Sequence, residues 1–343
     1  MYGAKRLAAR GLEKAGTIPP QGSMRAIAQE RYGNAEVLHE ARLPVPVPKK
    51  NEVLVRVHAA GLDRGTWHVM TGTPLLVRLA LGIRGPRNPV PGLDLAGTVA
   101  AIGSAVTRFA VGDAVYGFGM GTFAQYAVAR EDRLAPKPAG LDFPRAAVIP
   151  VSAATALQAL RMGRLAAGQR VLITGASGGV GSYAVQLAKA LGAEVTGVAG
   201  PAKQDLVHQL GTDHAIDHSR EDFADGTRHY DLIVDIAGNP SLDRLRRALT
   251  PTGTAVIVGG EGTGKWLGMG RQFRAVALSP FIGQRLAMLG SAQRASDLQE
   301  LATFVGSGAL EPHIDRSFPL AQAAEAMEYL VAGKARGKIA III

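Results

Sequence analysis

Residues 170–182 read Arg-Val-Leu-Ile-Thr-Gly-Ala-Ser-Gly-Gly-Val-Gly-Ser. An apolar strand leads into this run and a helical stretch leaves it, which is where a glycine-rich turn can grip the diphosphate of a dinucleotide. Ala176 and Ser177 hold the sharp turn. Gly178 and Gly179 carry no side chain to keep a pyrophosphate off the main-chain N–H groups, and Gly181 lets the helix pack closely on its strand. The helix start offers unpaired donors and a partial positive charge to the phosphates. Val180, Ala184, Leu187 and Leu191 share one face, which docks the helix on a sheet. Ala176 replaces the first glycine of the G-x-G-x-x-G pattern. A glycine-rich turn without a ligand is the competing reading of any lone fingerprint; here a second strand at 194–198 completes the expected context.

The end of that second strand selects the cofactor. An NAD-preferring site places Asp or Glu there for the ribose hydroxyls. Residues 198–203 read Val-Ala-Gly-Pro-Ala-Lys, with no acid. Lys203 can meet a 2′-phosphate as a point charge, which favours NADPH over NADH; as a solvated lysine at a helix start it would do nothing of the kind.

The elements around these residues fall into two groups. From Met24 to about Ala135 the pattern is short strands and turns, including 52–58, 95–103 and 111–117, which suggests a compact β-rich domain. From about Leu141 the rhythm changes. Residues 144–162 are Ala-rich and helical, and apolar strands at 171–173, 194–198, 232–234 and 255–258 alternate with helices such as 183–191 and 242–249. Fully apolar strands separated by helices mean a parallel sheet covered on both faces. Residues 337–343 form a last strand, expected to return to the first domain. The expected division is an extension over 1–23, either disordered or the product of a start site placed too early, a catalytic domain from 24–145 and 285–343, and a dinucleotide-binding domain over 146–284.

Composition bounds the rest. The chain has 343 residues, 47% hydrophobic and 19% charged, so a large core can be buried. There is no cysteine, which excludes disulfides, thiolate zinc sites and cysteine nucleophiles, gives no sign of secretion, and fits a cytoplasmic protein. The net charge of +10 suits anionic ligands, but no reader motif or long basic run accompanies it, so no nucleic-acid partner is expected. No apolar run approaches the ~18 residues of a membrane span. The basic residues Lys5, Arg6, Arg10 and Lys14 leave a targeting helix or a surface tether as alternatives for the extension.

Several segments together resemble the zinc-free, quinone oxidoreductase-like branch of the medium-chain dehydrogenase/reductase superfamily. They are residues 91–97 (Pro-Gly-Leu-Asp-Leu-Ala-Gly), 109–117, 121–126, 153–156, the glycine turn, and 335–338 (Ala-Arg-Gly-Lys). The match runs from about Met24 to Ile343, and is similar to the reticulon-interacting, mitochondrial-type quinone oxidoreductases and to bacterial NAD(P)-dependent alcohol dehydrogenase-like proteins. The resemblance implies an α/β fold: a GroES-like catalytic domain, split in sequence, around a Rossmann domain, with the active site between them. It implies phosphate contacts at Ser177, Gly179 and Val180, with Lys334, Ala335 and Arg336 reaching the cofactor from the C-terminal segment. Gly200 stands where relatives often carry serine, and His218 where they often carry tyrosine. Gly259 and Lys338 complete the expected cofactor contacts. Such relatives are often dimers, so a homodimer is open.

In the zinc-dependent alcohol dehydrogenases of the superfamily the catalytic ligands would fall at Asp63, Leu93 and Val151. Leu and Val bind no metal, and none is expected. A carbonyl oxygen must then be polarised by hydrogen-bond donors. Residues 61–68 are the expected active-site loop, and His68 the expected proton donor, since imidazole titrates near neutrality; a structural histidine is the alternative. Asp63 could orient a donor or simply pair with Arg64. Thr155 resembles the threonine beside the nicotinamide, or back-bonds to its own helix. Trp67 either walls the substrate pocket or anchors the loop.

Two other readings bear on the same residues. The glycine turn also fits short-chain dehydrogenases, but Tyr183, Tyr230 and Tyr329 all lack the lysine four residues on that those enzymes need. A non-catalytic NADPH-binding sensor or scaffold stays open. The expected function is hydride transfer from NADPH to a small-molecule quinone, enone or carbonyl.

Overall fold

The structure, a computed structural model, describes residues 19–259 and 270–343. Residues 1–18 of the expected extension lie outside the described residues, and a strand already begins at Ser23. Among the described residues no helix is long and apolar enough to cross a membrane.

Six parallel strands form one sheet. Its order is His214–Asp217, Glu194–Ala199, Arg170–Thr174, Tyr230–Asp235, Leu249–Ile257, Arg285–Met288. In chain order this is 3-2-1-4-5-6, the doubly wound dinucleotide arrangement, whose switch point lies between Arg170–Thr174 and Tyr230–Asp235. Leu172, Ile173, Leu232, Ile233 and Val234 are fully buried, as strands covered on both faces require.

The sixth strand corrects the expected boundary at 284: the chain stays in the parallel sheet through Met288. After it, helix Ala295–Gly306 still packs on helix Pro150–Gly163. Strand Arg285–Met288 has only four residues, two of them Arg and Ala, too few to show a period. The Ala-rich stretch is two helices, Phe143–Ala147 and Pro150–Gly163. Pro150 starts the second, where its missing N–H costs nothing.

The β-rich domain is a seven-stranded sheet ordered Ile314–Pro319, Lys338–Ile342, Glu52–Leu62, Asp94–Ile102, Ala114–Phe118, Leu134–Pro136, with Tyr126–Arg130 also pairing Glu52–Leu62. The last strand of the chain pairs antiparallel with Glu52–Leu62, as expected for a tail returning to the first domain. A hairpin, Ser23–Ala28 with His39–Pro44, flanks it.

Helix packing and two tyrosine hydrogen bonds tie the elements around the glycine turn together. Helix Pro150–Gly163 packs on the glycine-turn helix Gly179–Ala190. The Tyr116 hydroxyl donates to the Leu298 carbonyl at 2.6 Å, and the Tyr183 hydroxyl to the Val148 carbonyl at 3.1 Å.

Candidate active site

The glycine turn leaves the carboxyl end of strand Arg170–Thr174, directly at the switch point. Gly175 takes φ +67°, which glycine adopts without strain. The Thr174 hydroxyl donates to Asp235 on the neighbouring strand at 3.0 Å and accepts from the Ile236 N–H at 2.9 Å. The helix N-cap is Gly178, and no side chain caps it. A Cβ built there would meet only the Gly175 carbonyl, at 3.3 Å. The helix start is thus bare main chain, the donor set an anion needs.

The other two glycines have different reasons. A Cβ on Gly181 would lie 2.1 Å from the Gly175 carbonyl oxygen, so this glycine permits the close packing expected of it. A Cβ on Gly179 would meet the Lys338 stem at 3.1 Å and the Ser152 hydroxyl at 3.4 Å. The missing side chain at Gly179 thus also leaves room for Lys338 and Ser152. Ser177 is buried, and its carbonyl accepts the Gly337 N–H at 2.8 Å. Val180 is half-buried on the core that Ala184 and Leu187 enter fully; Leu191 lies past the helix end and is exposed.

At the end of the second strand the structure brings Lys203 against the C-terminal segment 333–336. The Lys203 ammonium donates to the carbonyls of Gly333 and Ala335, at 2.7 and 2.6 Å. Burial holds its pKa below the usual lysine value. The Arg336 guanidinium bonds the Ala202 carbonyl at 3.0 Å and Asp205 at 2.5 Å. Ala335 is buried between them, and Lys334 is exposed. His218 is exposed, its Nε2 3.5 Å from where a Gly200 side chain would begin. Gly259 lies elsewhere, beside the fourth strand. A Cβ there would strike the Ile236 carbonyl at 2.0 Å, and its own carbonyl accepts from Arg271.

Asp63 caps helix Arg64–Thr71, its Oδ1 accepting the Thr66 N–H at 2.9 Å. Lys338 is a cationic neighbour, at 3.9 Å, and the Arg64 guanidinium lies over the Trp67 ring, 5.5 Å from its centre. Lys338, expected among the cofactor contacts, is almost fully buried, and its ammonium donates to Ser152 Oγ at 2.8 Å and the Leu62 carbonyl at 3.2 Å. His68 is half-buried, with Nδ1 2.8 Å from the Thr73 carbonyl. Thr155 back-bonds to the Val151 carbonyl at 2.7 Å and lies 3.2 Å from Ser291 Oγ.

Sequence reasoning missed two buried acids. Asp94 is completely buried and accepts the Val151 N–H at 2.9 Å. Burial holds its pKa well above the usual carboxylate range; the nearby Asp63 charge adds to this, and Lys338 opposes it. Asp235 ion-pairs with Arg271 at 2.6 Å. Burial raises its pKa, against the pull of Arg271 and Thr174. The only available signals were an acid inside the 91–97 motif and one ending an apolar strand.

Comparison with known proteins agrees with this architecture. The family model described as "Alcohol dehydrogenase GroES-like domain" matches residues 49–139, and that described as "Zinc-binding dehydrogenase" matches 210–341. The quinone oxidoreductase of Sus scrofa is 32% identical over 94% of this chain and 99% of its own. The 2-methylene-furan-3-one reductase of Solanum lycopersicum is 29% identical over 97% of this chain and 82% of its own. The solved quinone oxidoreductase of Coxiella burnetii superposes with a TM-score of 0.84 at 28% identity, over 94% of this chain and 100% of that one. The chain belongs to the medium-chain dehydrogenase/reductase superfamily, oxidoreductases that bind a nicotinamide cofactor, and within it to the quinone oxidoreductase-like branch.

Proposed function

We propose that the protein is an NADPH-dependent, zinc-independent oxidoreductase acting on a quinone, enone or carbonyl. The observation that carries the reading is the uncapped glycine turn at the switch point, bonded through Ser177 to the C-terminal segment of the catalytic domain. Reduced nicotinamide supplies the hydride when bound. The N–H groups of the helix start hold the diphosphate. Lys203 and Arg336 recognise the 2′-phosphate, and no acid at residues 199–203 competes for ribose hydroxyls. The relatives' names support the acceptor class: one is a quinone oxidoreductase and another reduces an enone-bearing furanone.

A tetrahedral zinc ion does not fit this donor set, despite the description of the second family model. Leu93 and Val151 offer no ligand atom, and among the described residues no three His, Cys, Asp or Glu side chains cluster for a metal. Proton delivery falls to His68. With Nδ1 held by the Thr73 carbonyl, Nε2 is the ring position free to pass a proton. Thr155 helps to wall the site. An acceptor screen followed by NADPH absorbance tests the reading. Turnover with quinones or enones is expected, unaffected by chelators; cofactor binding without oxidation by any acceptor would favour a sensor instead.

A further inference from the structure

We propose that Asp63 and Asp94 share one proton and, neutralised jointly by Lys338, serve as positioning residues that lock the active-site helix to the glycine turn. Four separate segments meet here: the end of strand Glu52–Leu62, the start of strand Asp94–Ile102, helix Pro150–Gly163 and strand Lys338–Ile342. Asp63, Asp94, Ser152 and Lys338 are all buried. One ammonium therefore faces two carboxyl groups. Two ionised carboxylates would leave a net negative charge away from water, which is costly.

The unpartnered atoms point the same way. Asp63 Oδ2 and Asp94 Oδ2 are both buried and both lack a hydrogen-bond partner, while the other oxygen of each accepts a main-chain N–H. The two side chains are within hydrogen-bonding reach of one another. A single proton between these Oδ2 atoms satisfies both and leaves one negative charge to balance Lys338. Gly61 makes the room, since a Cβ there would lie 2.8 Å from Asp94 Oδ2. The other titratable group close by, Tyr183, stays a neutral phenol whose hydroxyl donates to Val148.

The consequence is mechanical. Asp63 caps the helix that carries His68, and the Lys338 stem lies against Gly179 of the turn. The cluster thus sets the proton donor against the cofactor site. This part rests on the function proposed above; the protonation state does not.

Infrared spectroscopy of the folded protein with isotope-labelled aspartate separates the two. At neutral pH the wild type should show the carbonyl band of a protonated carboxyl. Both Asp94→Asn and Asp63→Asn should lose it, because the one carboxyl left pairs with Lys338 and ionises. Asp235→Asn should keep it. A wild type without the band, or a band surviving in Asp63→Asn, overturns the shared proton. If either variant fails to fold, titration of the wild-type band decides: it should persist well above the usual carboxylate range, and disappearance within that range overturns the claim. In turnover, Asp94→Ala should lower kcat with little change in cofactor affinity, and Asp94→Asn should restore most of it. Equal activity in the Ala and Asn variants overturns the positioning role alone.

Discussion

At the glycine turn one continuous stretch presents main-chain N–H groups and small residues, with no charged side chain of its own. Beside it, residues 63, 94, 152 and 338 come from four segments and bury three ionisable groups against one another. The first region is left unsatisfied by the protein, with Gly178 uncapped, and so is fit to receive an anion. The second is turned in on itself, one buried ammonium facing two buried carboxyl groups. On the proposed function the two neighbouring regions divide the work: one binds, the other fixes geometry.

The largest effect should come from the second region. Lys338→Met removes the cation that faces Asp63 and Asp94, and breaking a buried pair costs about 3 kcal/mol or more. Denaturant unfolding measures this; a loss below ~1 kcal/mol would mean that the cluster does not hold the domains. Next, His68→Phe should slow carbonyl reduction by about 100-fold at neutral pH. An unchanged rate would leave His68 with the Thr73 contact alone, a structural role.

A pH titration sharpens the contrast further. Asp94 has a native pKa raised by burial. Its contribution to stability is therefore complete below the unfolded carboxylate value and is lost as pH rises toward the native one. Between those values the native state holds a proton that the unfolded chain has released, so this group lowers stability by about 1.4 kcal/mol per pH unit. Asp94→Asn should flatten the wild-type curve by that slope over that window. Parallel curves would show that Asp94 is ionised in the folded protein. The smallest effect belongs to the cofactor end: Lys203→Ala should narrow the preference for NADPH over NADH by about tenfold or less. Equilibrium binding of both coenzymes reads it, and an unchanged ratio removes Lys203 from phosphate recognition.

The two regions also differ in how readable they are. The turn is local: strand, glycines and helix follow one another within residues 170–190, so period and spacing reveal it. The corner around Lys203 was half readable. The missing acid at 199–203 is local, but the bonds from Lys203 to Gly333 and Ala335 span 130 residues or more. The carboxyl cluster was not readable at all. Asp94 stood inside a motif with no assigned role, because its partners lie at 63, 151 and 338 and only the fold brings them together. Lys338 is read from the sequence among the cofactor contacts; its burial at the start of the last strand, against Ser152 and the Leu62 carbonyl, depends on segments far away in the chain. The parallel sheet followed from alternating apolar strands and helices, but its strand order did not, and strand Arg285–Met288, short and mixed in composition, moved the domain boundary.

Titration calorimetry of the folded protein with NADPH and with NADH tests the central claim most directly. Both should bind through the turn, NADPH the more tightly. Absence of heat and of affinity for either coenzyme would contradict a dinucleotide site at the Gly178 helix start and the hydride chemistry built upon it.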